Sequence, residues 1–192
     1  MLVAGGLTLI PILNVPFVSF TGYLYNPRSD NFGIPLLFTD GRILHSAALL
    51  DDKRILLVGG MNVDFSVFLQ TGNPADLELT ALSTGEVWKD GFLGGSFTHV
   101  TGMQKGRALP AVTALPGAQA LVAGGFDLSI TGTDPSQWIF DPQATADRFA
   151  SNAFSATGSM SSARVAPTSV VLSDGTVLVV GGLALGAEVY QP

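Results

Sequence analysis

His45 and His99 are the two imidazoles of the chain, and acid–base chemistry near neutral pH would fall to them first. A serine-type triad needs such a base within hydrogen-bond reach of a hydroxyl, and neither histidine lies in a nucleophile-elbow sequence. Each is therefore read as a packed or surface residue of a strand. Cysteine is absent, which removes thiol nucleophiles, thiolate metal sites and disulfides together. Asp64, Asp90, Asp127 and Asp134 fall in loop-like sequence, and loop carboxylates are the ligands that Ca2+ takes. Their spacing lacks the EF-hand order, so no metal and no other cofactor is expected. Trp88 and Trp138 have faces for stacking on sugars, but both stand where strand aromatics pack. "GFLGG" at 91–95 lacks the lysine and the strand-to-helix setting of a phosphate loop. No catalytic constellation emerges, and the reading leans away from an enzyme.

A further set of residues is periodic. Arg42, Arg107 and Arg164 each stand 17 residues before a glycine pair: Gly59–Gly60, Gly124–Gly125 and Gly181–Gly182. Eight residues after each arginine comes a leucine, Leu50, Leu115 or Leu172, and then a turn, "DDK", "PGA" or "SDG". The glycine pairs close the apolar runs "ILLVGG", "ALVAGG" and "VLVVGG", and the chain opens on a fourth, "MLVAGG". Each unit thus predicts a strand, a tight turn, a second buried strand, and an exit that needs glycine's freedom at positive φ. A residue that obeys the repeat has a job in every unit. The arginines are read as structural, their guanidinium groups bonding loop carbonyls.

Third strands are predicted at "GYLYNP" (22–27), "QWIFDP" (137–142) and "AEVYQP" (187–192), with "DLELTALSTGEVW" (76–88) in that place in the second unit. Fourth strands are predicted at 32–38, 96–103 and 154–160. The count is three, four, four and three strands, 14 in all, in units of about 1–38, 39–103, 104–160 and 161–192 within a single domain. The apolar start, residues 1–20, carries Gly5, Gly6, Pro11, Asn14 and Pro16 and no basic flank. It is read as part of the repeat rather than as a leader or membrane anchor. A net charge of −6 with only nine scattered Lys and Arg residues argues against nucleic acid.

"GSMSSARVAPTSVVLSDGTVLVVGG" (158–182) and "GRILHSAALLDDKRILLVGG" (41–60) resemble kelch repeats of the galactose-oxidase-like kind. His45 stands where that pattern commonly has histidine; Pro110 and Pro167 replace it in the other two copies. The resemblance implies an all-β β-propeller of four-stranded blades, about three and a half of them in this chain and incomplete at both ends. It also raises a copper-radical oxidase, but that chemistry needs a Cys–Tyr pair and two copper-binding histidines, and this chain has no cysteine. An incomplete ring leaves blade faces in water, so a fragment, a protomer completed by another chain and a small closed ring all stand as readings. A homo-oligomer or partner chain completing the propeller is favoured over a self-sufficient ring.

Two functions follow. The first is a non-catalytic binding or assembly module that presents the loops of one face to a protein or glycan. The second is a piece of a carbohydrate-active enzyme whose catalytic residues lie elsewhere. The long insertions after the glycine pairs, at 7–22 and 61–76, are apolar for loops; Asp64, Phe65 and Phe68 of the second, with Asp134 of the loop "FDLSITGTDPS", are the binding candidates. The resemblance and the acidic, charge-poor composition lean towards an extracellular or cell-surface address.

Overall fold

The computed structural model describes residues 1–10, 15–129 and 134–192. The chain is all-β. Short antiparallel sheets follow one another along the sequence, and none closes on itself. In the first unit, β1 (Leu2–Ala4) runs into a hairpin, β2 (Leu7–Ile10) and β3 (Val15–Val18); β4 (Thr21–Asn26) then returns beside β1 and is flanked by β5 (Asn31–Phe32) and β6 (Leu36–Leu37). The second unit is a four-stranded meander of β7 (Ser46–Leu49), β8 (Ile55–Val58), β11 (Gly85–Lys89) and β12 (Ser96–Val100). Between its second and third strands stands another hairpin, β9 (Met61–Asp64) and β10 (Glu78–Ala81), tipped by one helical turn at Phe68–Thr71. The third unit repeats the plan: β13 (Ala111–Leu115), β14 (Gln119–Ala123), β17 (Ala146–Ala150) and β18 (Ala153–Ala156), with the hairpin β15 (Phe126–Ser129) and β16 (Ile139–Pro142). The fourth has three strands, β19 (Thr168–Val171), β20 (Val177–Val180) and β21 (Ala187–Tyr190), with no hairpin between β20 and β21. Among the described residues, no helix is long and apolar enough to cross a membrane.

The apolar runs are continuous in the middle sheets because neighbours cover both of their faces. Leu56, Leu57 and Val58 of β8 are buried in succession, as are Ala120 to Ala123 of β14. One cluster joins the second and third sheets through Leu56, Val58 and Val87 against Ala120, Val122 and Phe149; another joins the third and fourth through Leu121 and Ala146 against Val177 and Val179. The first sheet meets the second where Phe38 packs on Phe97, ring centroids 5.2 Å apart, and where Gly22 leaves room for the same ring. In β20 the pattern changes to alternation: Val177 and Val179 are buried, while Leu178 and Val180 are half-buried.

Two strand assignments are corrected. "QWIFDP" forms β16, the return strand of the third unit's hairpin, and the third strand of that sheet is "ADRFA" at 146–150. "DLELTALSTGEVW" divides between β10, in a hairpin, and β11, in the sheet. The insertions after the glycine pairs are therefore paired β-ribbons, and the described strands number 21 rather than 14. The aromatic-polar-proline likeness misleads because any exposed strand before a turn favours such residues. Residues 11–14 and 130–133, which belong to two of these insertions, lie outside the described residues.

Candidate functional site

The three arginines are buried to the last atom or nearly so, at 0, 0 and 1 % exposure. A guanidinium has five N–H donors, and burial obliges each to find an acceptor. The fold meets that need the same way in each unit. Nη1 donates to the carbonyl of the first glycine of the pair: Arg42 to Gly59 (2.7 Å), Arg107 to Gly124 (3.1 Å) and Arg164 to Gly181 (2.8 Å). It also reaches the carbonyl that leads into the third strand, at Thr84, Thr145 and Gly186. An acid on that strand faces the guanidinium two residues later: Glu86, Asp147 or Glu188. Burial lowers the affinity of Arg42 and Arg107 for their proton, and the facing carboxylates oppose that shift.

Each arginine also binds backward, through its own main-chain carbonyl, to the preceding unit. Arg42 accepts from the Gly6 N–H at 2.9 Å, and Arg107 and Arg164 accept from Gly60 and Gly125 at 2.8 Å. That carbonyl lies on the first glycine of the preceding pair, where a Cβ would have to be: the Gly124 position is 2.5 Å from the Arg164 oxygen, and its φ is +68°. The pair is Gly-Gly because one glycine admits the next unit's carbonyl and the other admits its own unit's: at Gly125 a Cβ would stand 2.6 Å from the Ala108 oxygen.

The second unit departs from this scheme. In the third and fourth, arginine and acid are in direct contact, 2.6 Å for Arg107–Asp147 and 3.2 Å for Arg164–Glu188, and both oxygens of each acid have partners. In the second, Arg42 Nη2 stands 3.8 Å from Glu86 Oε1 and 3.7 Å from Asp40 Oδ2. Glu86, wholly buried, directs Oε1 at His99 Nδ1 (3.1 Å) and accepts the Thr39 and Asp40 N–H groups there. Its other oxygen, Oε2, has no partner among the described residues. His99 lies directly across the β11–β12 ladder from Glu86, and its ring is 3.7 Å from Asp40 Oδ2. Lys105 and Ser162 stand where Asp40 does in the next two units, and Ala156 stands across from Asp147. Asp40, Glu86 and His99 thus bring two oxygens and a ring nitrogen within 4.8 Å of one another, a donor set suited to a divalent cation.

The residues singled out from sequence fall elsewhere. Asp64 ends β9 on the surface and accepts the Ser66 N–H at 2.8 Å, which holds its carboxyl below the usual range; Asp134 does the same with Ser136 at 2.9 Å. Phe65 and Phe68 are half-buried at the tip of the second hairpin. Trp88 is buried in β11, its Nε1 donating to the Gly94 carbonyl at 3.0 Å, whereas Trp138 borders the exposed hairpin strand β16. His45 packs beside Arg42, and its Nδ1 is buried without a partner among the described residues. The sequence reading passes over Asp40 and Glu86. The signal that finds the acids is the alignment of "TGEVW" (84–88), "TADRF" (145–149) and "GAEVY" (186–190), each with an acid at its third place.

No protein-family model and no curated protein matches this chain. Among solved structures, one titled "Structure of YjhT" is similar over 100% of this chain and 76% of its own, with a TM-score of 0.47 and 11% identity. A likeness of that size carries no argument here.

Proposed function

We propose that the chain is a non-catalytic binding and assembly module: an arc of kelch-like propeller blades that presents its hairpins on one face and packs its exposed apolar sheet faces against a partner, in the first instance a second copy. The observation that carries this reading is the apolar face that the fourth sheet leaves exposed, and the glycine pairs differ beside it. Gly5, Gly59 and Gly124 each hold the next unit's arginine carbonyl, whereas the same space over Gly181 is open. The Gly182 N–H, counterpart of three bonded amides, meets no acceptor among the described residues.

Three surface features agree. On the outer face of the fourth sheet, Val170, Leu178 and Val189 stand in one cross-strand row, with Val170 51% and Val189 56% exposed. On the outer face of the first, Val3 pairs with Tyr23, and Phe32 packs on Tyr23 and Tyr25. β21 is an edge, where β11 and β17 each have a fourth strand beyond them. Apolar sheet faces and a free edge are surfaces that pair with other sheets.

Light scattering on the purified chain tests this. Its mass is expected to exceed the 19.9 kDa of one chain and to rise with concentration. The double variant Val170→Lys, Val189→Lys should return it to one chain with unchanged far-UV circular dichroism. A folded wild-type chain of single-chain mass at every concentration overturns the assembly reading.

A further inference from the structure

From the way the second unit breaks the repeat, we propose that Asp40, Glu86 and His99 form a site for one divalent transition-metal ion of the Zn2+ or Co2+ type. The inference does not rest on the assembly reading.

The acids of the third and fourth units are fully spoken for, each held by its arginine and by a backbone N–H from the segment before that arginine. In the second unit the arginine has withdrawn. Its Nε and Nη1 donate to the carbonyls of Asp40, Gly59 and Thr84 and its Nη2 to the Thr84 hydroxyl, and Nη2 stands 3.7–3.8 Å from the carboxylates, outside hydrogen-bond distance. What remains is a wholly buried carboxylate with one oxygen unpartnered, a second carboxylate beside it and an imidazole across the ladder. The bare oxygen is Oε2, and its partner Oε1 faces His99; a buried carboxylate so incompletely matched carries a large desolvation cost, which a cation held by the same group would reduce.

The spacing suits such an ion. Bonds of about 2.0–2.1 Å in a tetrahedral site place ligand atoms about 3.3–3.4 Å apart. The observed separations are 3.1 Å from His99 Nδ1 to Glu86 Oε1 and 3.7 Å from His99 Nδ1 to Asp40 Oδ2. One imidazole with two carboxylates favours zinc-like ions over calcium, which takes six to eight oxygens. Supporting bonds are in place: the Thr84 hydroxyl donates to Asp40 Oδ2, and the Thr39 and Asp40 N–H groups donate to Glu86 Oε1. Only His99 and Asp40 reach solvent, with side chains 31% and 27% exposed, which gives the ion an entrance and leaves its fourth position to water. Arg42 opposes the ion with one positive charge, and the two carboxylates outweigh it.

Equilibrium dialysis of the full chain against Zn2+, and visible absorption titration with Co2+, test the proposal. One ion per chain is expected, with d–d bands of tetrahedral intensity for Co2+. His99→Gln and Glu86→Gln should each weaken binding at least tenfold, while His45→Gln leaves it unchanged. Glu86→Gln keeps the buried volume, so circular dichroism and an unchanged melting temperature without metal will show that it folds. No saturable uptake overturns the site, as does uptake that survives His99→Gln. So does a His99 that titrates by NMR identically with and without Zn2+, which would mean that the cluster holds only a proton.

Discussion

At the scale of single residues, burial decides what each ionisable group does. His45 lies among backbone carbonyls and glycines beside Arg42. Desolvation, reinforced by the Arg42 charge and partly offset by a hydrogen bond with the Arg42 backbone, pushes its pKa down to about 4 from the ordinary 6.5. The folded chain therefore keeps His45 neutral where the unfolded chain would protonate it. The stability this preserves is complete above pH 6.5 and is lost as the pH falls from 6.5 towards 4, by about 2–3 kcal/mol. Urea midpoints measured from pH 7 to pH 4 should show that decline, and His45→Gln should flatten it; a decline of equal size in the variant would assign it to other groups. The arginines were legible from sequence as structural residues because their spacing to the glycines never changes. Their acids were not, because hairpins of unequal length put Glu86 44 residues after Arg42, Asp147 40 residues after Arg107 and Glu188 24 after Arg164. Asp40 was invisible for another reason: it joins Glu86 and His99 only through the fold.

At the scale of elements, the glycine pair is a fitted part. Gly124 and Gly181 hold the same kind of backbone, at φ +68° and +75°, but only Gly124 has a carbonyl seated on it. At a dilution where light scattering reports a single chain, alanine at Gly181 should cost the left-handed penalty alone, about 1–2 kcal/mol. Alanine at Gly124 should cost that and the displacement of the Arg164 carbonyl, a further 1–3 kcal/mol or so. Equal losses in urea denaturation would mean that the space between the units is not set there. The first and second strands of the second, third and fourth units read cleanly from sequence, since apolar runs with fixed turns leave little choice. The hairpins did not: "LTLI" and "IFDP" carry strand residues but pair outside the repeating sheets, and nothing in their composition says with which neighbour.

Across the whole molecule, stability is shared between neighbours in a row. The second and third sheets bury both faces; the first and fourth bury one. In such an array each unit draws on its own bonds and on the adjacent interfaces. Hydrogen exchange, at a dilution where light scattering reports a single chain, should be slowest in β8, β11, β14 and β17. In β1 and β20 it should be about tenfold faster or more, through opening of the end sheets alone. Uniform protection would mean that the four sheets unfold as one. The all-β class follows from the repeat as a sequence pattern.

The bond between consecutive units has two unlike halves, a glycine N–H on one side and an arginine carbonyl on the other. It therefore has a direction. Two copies brought together about a two-fold axis through their Gly181 ends would set donor against donor and leave both unsatisfied. Nor does a second copy offer its own arginine head to tail, since the carbonyls of Arg42, Arg107 and Arg164 are already held by Gly6, Gly60 and Gly125 of the same chain; a partner that covers the Gly182 N–H must bring a different acceptor.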